Sequence, residues 1–347
     1  MRNGKAKTLI QHDEHLYPHA PDVLERETSD DGFSAGWGLH HLPAENYILD
    51  CHTHMHATTA RSVQKAVDEY YARAGAMRLR RHVALDGKPG SVAAFSAVSA
   101  KDDRFLWLVW PHHSRPDLKF LKKSAKLSGF TGLKLHNYSV ITEGAAPEVW
   151  QTREWDEVFE FCAEQGKPVL WHVTQRLTDA PYMGGGRNSY WKDGWPKGVK
   201  YGNRELLDVF LDCVKRHPKT RFIAAHHCHI GPEMFAKLFD RYPNLYTDLS
   251  CGNIVRSGDE MYEADRRRWR NYAFAYSDRL LFGTDCILGG AAGIWYLWET
   301  LAAHIRFVHQ LRLDKATLEK VAHENFERIA GLAPVELKRE DWAAVRP

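Results

Sequence analysis

From Tyr47 onward the chain alternates short apolar runs with longer stretches in which apolar residues recur every three or four positions. The runs at 47–51, 82–85, 105–110, 132–136, 169–173, 222–226, 245–249 and 280–285 read as strands. The stretches at 60–76, 91–100, 117–127, 153–165, 205–216, 233–239, 294–311 and 315–329 read as helices, with a further charged helix after the seventh strand. In the first of them Val63, Ala66, Val67 and Tyr70 fall at helical spacing. Pro111 closes the third strand, Gly129 ends the third helix, and Gly166-Lys167-Pro168 turns the chain into the fifth strand. Eight strands alternating with helices predict an α/β fold, a (β/α)8 TIM barrel with an N-terminal extension and C-terminal helices. Residues 1–44 show no sustained period and form the extension, 45–332 the barrel, and 333–347 a C-terminal tail. A doubly wound open sheet is the rival, but that fold gathers its active residues at one switch point.

The polar residues that close the strands favour the barrel, because they close many different ones. After the first run comes Asp50-Cys51-His52-Thr53-His54-Met55-His56. Side chains two apart on a strand share a face, so His52 and His54 form a pincer. The fourth strand ends in Lys134 and His136, the fifth in His172, the sixth in His226 and the eighth in Asp285. In a barrel all of these lie on the carboxyl-terminal rim, where barrel active sites are built. So many ionisable groups buried together call for a counter-charge, and a divalent cation supplies one. A set of histidines with one carboxylate suits zinc, with iron or manganese as alternatives. Zinc brings the pKa of water to about 7. Asp285 is then the candidate proton acceptor and later donor to the leaving group, and His226 the residue that orients water or polarises a carbonyl.

The order His-x-His, Gly-x-Lys-x-His, His, His and Gly-Thr-Asp over these strand ends resembles the amidohydrolase superfamily. The closing segment His323-Glu324-Asn325-Phe326-Glu327-Arg328 resembles the last helix of its amidohydrolase-related branch, which includes aminocarboxymuconate-semialdehyde decarboxylase. The resemblance spans residues 46–332 and implies one of two metal arrangements. In the first, preferred here, His52, His54, His172 and Asp285 hold one ion and His226 contacts water. In the second, a carboxylated Lys134 bridges two ions, one on His52, His54 and Asp285, the other on His172 and His226. The branch contains lactone and amide hydrolases, a hydratase and non-oxidative decarboxylases, and it implies a homo-oligomer, a dimer or tetramer.

Composition narrows the remaining classes. With 347 residues and 44% hydrophobic content the chain has ample core. A net charge of +3 gives no bulk signal for nucleic acid or an anionic membrane. No apolar run approaches a membrane span, and the six cysteines form no Cys-x-x-Cys pair, so a cytoplasmic protein with reduced thiols is expected. Residues 175–204 are the most individual stretch. Arg176, Arg187, Lys192, Lys197, Lys200 and Arg204 outnumber Asp179 and Asp193, among Tyr190, Trp191, Trp195 and Tyr201. A cationic, aromatic loop after a barrel strand predicts a small anionic or planar substrate, with Arg187, Trp191, His136 and His227 as substrate-binding candidates. The expected activity is metal-dependent hydrolysis of a C–O or C–N bond in a lactone, ester or amide. The alternatives are a non-oxidative decarboxylase of a carboxylated aromatic or muconate-like compound, and a non-catalytic metal-binding scaffold.

Overall fold

The computed structural model describes residues 47–112, 115–137, 140, 145–174, 201, 203–250, 263–290, 301, 304–305 and 307–337. The extension at 1–44 and the loop residues Arg187 and Trp191 lie outside them. The strands are β1 Ile48–Met55, β2 Leu79–Gly87, β3 Phe105–Val109, β4 Phe130–His136, β5 Val169–His172, β6 Phe222–Ala224, β7 Leu245–Asp248, β8 Leu280–Leu281 and β9 Cys286–Leu288. All pair in parallel, in the order β8-β7-β6-β5-β4-β3-β2-β1-β9. The helices between them are α1 Ala60–Ala74, α2 Val92–Ser99, α3 Leu118–Ser124, α4 Arg153–Glu164, α5 Asn203–Arg216, α6 Pro232–Arg241 and α7 Glu263–Ala275, followed by α8 Lys315–Glu319 and α9 Asn325–Ala330.

The predicted eighth strand, 280–285, is strand only at β8, and a further short strand, β9, begins just beyond it. β8 pairs with β7, while β9 pairs with β1. Between them Phe282 O accepts from Cys51 N at 3.0 Å, and Asp285 N donates to His52 O at 2.7 Å. This single passage of chain therefore closes the sheet on itself as a barrel. The break arises at Asp285, whose φ of 63° no strand accommodates.

The inner face of the barrel carries Leu49, Cys51, Val83, Leu85, Leu108, Leu170, Ile223 and Leu281. The outer face packs against the helices, with Trp107, Trp171 and Phe222 meeting a layer that includes Trp155, Phe159 and Phe210. Strands covered on both faces read as continuous apolar runs, which is why the sequence shows runs and not alternation. α1 starts where its spacing predicts, because Thr59 and Ser62 form a reciprocal capping box.

The amino-terminal end of the barrel is plugged by α9. Phe326, Ile329 and Ala330 join the inner cluster from below. A helix leaves its last carbonyls without intrahelical partners. Here Arg221 Nη1 donates to Ile329 O at 2.8 Å and Lys167 Nζ to Ala330 O at 2.6 Å. Arg81 Nη1 reaches Ala333 O at 2.6 Å. Buried Glu327 takes hydrogen bonds from Tyr47 Oη and His323 Nδ1. The family-like closing segment is thus the floor of the barrel, at the opposite end from the histidines.

Candidate metal centre

The structure brings His52, His54, His172, His226 and Asp285 together at the carboxyl-terminal rim. Both histidines of β1 aim Nε2 at one carboxylate oxygen. His52 Nε2 lies 3.3 Å and His54 Nε2 3.2 Å from Asp285 Oδ1. Each ring is fixed from behind through Nδ1: His52 by Asp248 Oδ2 at 2.9 Å, His54 by Asp86 Oδ2 at 3.1 Å. His226 follows the same plan, since its Nδ1 faces the backbone oxygen of Ser250 at 3.2 Å and the Ser250 hydroxyl at 2.8 Å. A backbone oxygen only accepts, so Nδ1 of His226 carries the proton and Nε2 keeps its lone pair. A carboxylate behind a histidine sets the tautomer in the same way.

This arrangement fits a cation. With Nδ1 donating to Asp248, a neutral His52 has only a lone pair to present to Asp285. Two acceptors at 3.3 Å repel unless positive charge joins them. His52 Nε2 is fully buried and has no hydrogen-bond partner. A proton on each imidazole or one divalent cation meets the demand. Burial opposes charge on His54, but Asp86 and Asp285 outweigh it and push its pKa up to about 9. Burial alone would raise Asp285, yet the His52 and His54 imidazoles set against it hold it well below the usual carboxylate range. Asp248 is likewise low, because His52 outweighs its burial. Burial pushes His226 down to about 4 and His172 well below its ordinary value, so both rings are neutral donors at pH 7.

The backbone around Asp285 is braced by Asp50. Its carboxylate accepts from His52 N at 3.1 Å, Thr284 N at 3.0 Å and Thr284 Oγ1 at 2.5 Å. Gly283 is required by closeness: a Cβ there would stand 3.0 Å from His52 Cβ and 3.3 Å from the Cβ atoms of Asp248 and Ser250. Lys134 sits inside the barrel in register with Leu170, fully buried, and its Nζ has no hydrogen-bond partner. Burial pushes its ammonium down to about 8, against the pull of Asp285, Asp248 and Asp86. His136 stands at the rim 4.1 Å from the His172 ring and is stacked on Trp110.

One candidate goes elsewhere. His227 is not in the cleft; its ring is buried against Phe235, Trp269 and Tyr272, on the helix side of the sheet. The sixth strand stops at Ala224, and His226, His227, Cys228 and His229 then take φ of 58°, 51°, 48° and 55°. Four consecutive left-handed residues cost roughly 1–2 kcal/mol each. With about three residues per turn, His226 and His229 fall on one side and His227 on the other. His229, not His227, therefore reaches the cleft, with its ring 5.1 Å from His226 and 5.9 Å from His172.

Asp86, Asp248 and Ser250 were not among the sequence candidates. Asp86 lies near the end of β2 and Asp248 closes β7. The rule that selected Asp285, a polar residue closing a strand, also selects them; a carboxylate there simply reads as an ordinary turn cap.

The Amidohydrolase family model (Amidohydro_2) matches residues 49–332, the whole span from the first strand to the floor helix. The chain belongs to the amidohydrolase family. It is an enzyme of a superfamily that usually binds divalent metal, and the cluster of His52, His226 and Asp285 could hold such an ion. An amidohydrolase from Burkholderia multivorans with bound zinc shares the fold at TM-score 0.55 and 12% identity, over 83% of this chain and 100% of that one. A 2,6-dihydroxybenzoate decarboxylase from Rhizobium does so at 0.53 and 14%, over 82% and 99%. A probable 2-pyrone-4,6-dicarboxylic acid hydrolase from Acinetobacter baumannii, with citric acid bound, gives 0.50 and 13%, over 83% and 100%. At such identities the likeness is one of fold. No curated protein matches the chain in sequence. Among the described residues, no helix is long and apolar enough to cross a membrane.

Proposed function

We propose that this amidohydrolase is a hydrolase that cleaves a C–O or C–N bond, in a lactone, ester or amide, of a small anionic substrate. The observation that carries the reading is the convergence of His52 Nε2 and His54 Nε2 on Asp285 Oδ1, with each ring fixed from behind by a carboxylate. His52, His54 and Asp285 would hold a divalent ion, with zinc favoured by the donor set and His172 as the further donor of a single-ion site. When bound, the ion supplies Lewis-acid polarisation of a substrate oxygen and acidifies water.

The protein's own groups do the rest. Asp285 accepts a proton from the attacking water and returns it to the leaving oxygen or nitrogen. His226, neutral and locked through Nδ1, presents Nε2 to the water or the substrate. Lys134, a buried amine facing three carboxylates, keeps the field of the cleft from becoming wholly anionic. At the rim Trp110 stacks on His136, and Lys88 Nζ lies 4.6 Å over the Trp110 ring. A flat aromatic wall with a cation beside it suits a planar, carboxylated substrate, in keeping with the basic loop at 175–204.

That same wall supports a second reading, decarboxylation of a carboxylated aromatic, the chemistry named for the Rhizobium protein. The two part company over water. Purified, zinc-loaded protein is offered lactones, esters, amides and hydroxybenzoates in oxygen-18 water. Label entering the product carboxylate without carbon dioxide release is the expected result. Carbon dioxide evolved with no label incorporated overturns hydrolysis in favour of the second reading.

A further inference from the structure

The left-handed turn after β6 does more than display His226. It places His226 and His229 on one side, rings 5.1 Å apart and tilted by only 23°, facing His172 on β5. One donor atom from each of His172, His226 and His229 lies within 4.8 Å of the other two. The turn is fixed from several directions. Thr174 Oγ1 donates to Cys228 O, His227 N donates to Thr247 Oγ1 at 3.2 Å, and Ile230 N to His227 O at 3.0 Å. Non-glycine residues adopt this backbone at a cost, and here four in a row do so.

We propose that His172, His226 and His229 form a second divalent-metal site, beside the pincer of His52, His54 and Asp285. The inference rests on reading the cleft as a metal centre, and it differs from the two-ion arrangement implied by the family resemblance. There the second ion needs a carboxylated Lys134. Here a third imidazole takes that place, and Lys134 remains an amine. A donor set of imidazoles alone selects zinc, cobalt, nickel or copper over magnesium or calcium, which require oxygen ligands. With one ion bound, His172 completes the pincer; with two, it belongs to the second site. His226 stands between them, since one of its ring nitrogens also lies within 4.8 Å of donor atoms of His52 and Asp285.

The test is the metal stoichiometry of the full chain, by elemental analysis and by cobalt titration against a chelator. His229→Asn and His229→Gly are the variants of choice, because both residues accept a left-handed backbone and remove the imidazole without new strain. The wild type is expected to hold about two cobalt ions per chain. Each His229 variant should weaken the second by more than about 100-fold, the upper end of what loss of an outer-shell partner costs. Lys134→Met should keep both ions, and His54→Ala should weaken the other one. Two ions in the His229 variants, with one lost in Lys134→Met, would overturn the proposal in favour of a lysine bridge. A single ion in the wild type, untouched by His229→Asn but lost in His54→Ala, would overturn it while leaving the proposed function intact. No ion in the wild type would overturn both.

Discussion

Asp248→Asn isolates the role of the buried carboxylate behind His52. Asp248 Oδ1 accepts from His226 N at 3.1 Å, from Ser250 N at 3.1 Å and from the Ser250 hydroxyl; Oδ2 accepts from His52 Nδ1 at 2.9 Å. An asparagine has one oxygen and one NH2 group in place of two oxygens. Three donors converge on the Oδ1 position, so the amide oxygen stays there and the NH2 turns to His52. The imidazole must then accept at Nδ1 and carry its proton on Nε2, the atom aimed at Asp285. The volume and the backbone hydrogen bonds are preserved, so the fold should persist, while the ring offers a proton where a ligand needs a lone pair. Loss of such a partner lowers metal affinity by about 10–100-fold, or about 1.4–2.7 kcal/mol. The assay is competition for zinc against a chelator of known affinity, with circular dichroism to confirm the fold. Zinc affinity within about 3-fold of wild type, below the range of a lost outer-shell partner, would refute the argument that Asp248 sets the tautomer.

Three further outcomes are expected. Gly283→Ala puts a methyl against the Cβ atoms of His52, Asp248 and Ser250, so it should destabilise by about 1–3 kcal/mol and shrink the rise in melting temperature produced by zinc; an undiminished zinc effect would show that the pincer tolerates displacement. Asp285→Asn should retain the fold but lower turnover by about 100-fold or more, measured as initial rate on the substrate found in the labelling experiment; near-wild-type rates would remove Asp285 as the proton carrier. Phe326→Ala opens a cavity in the barrel floor and should cost about 3–5 kcal/mol in urea unfolding, with zinc affinity of the folded protein unchanged because the floor lies at the far end from the metal centre.

Much of the barrel was legible because its strands are buried on both faces and its helices on one, which gives two distinct hydrophobic rhythms. The pincer was legible for a geometric reason, the period of two that sets His52 and His54 on one face, and both do aim at Asp285. What escaped were features decided by backbone that the residue types do not announce. His226-His227-Cys228-His229 contains no glycine, so nothing in it signals a left-handed turn, and the choice between His227 and His229 depends on that handedness. The break between β8 and β9 hangs on one φ, that of Asp285, and on the approach of Gly283 to its neighbours. Asp86 and Asp248 were hidden differently. Their meaning lies in which ring stands in front of them, and the partners are 32 and 196 residues away along the chain.

The clamped floor also bears on the order in which the molecule can be assembled. Tyr47, Arg81, Lys167 and Arg221, at the amino-terminal ends of strands from across the barrel, all bond to groups within Glu327–Ala333, and Phe282 N donates to Val321 O. A chain emerging from a ribosome can pair β1 with β2 early, but the ring has no stopper until the last of these groups has been made. Closure therefore waits until Ala333 has been made, and until then the apolar lumen stays open at one end, a surface that chaperones can hold. A stop codon before Val321 would spare every residue of the metal centre. The product should nonetheless be a barrel that cannot be sealed.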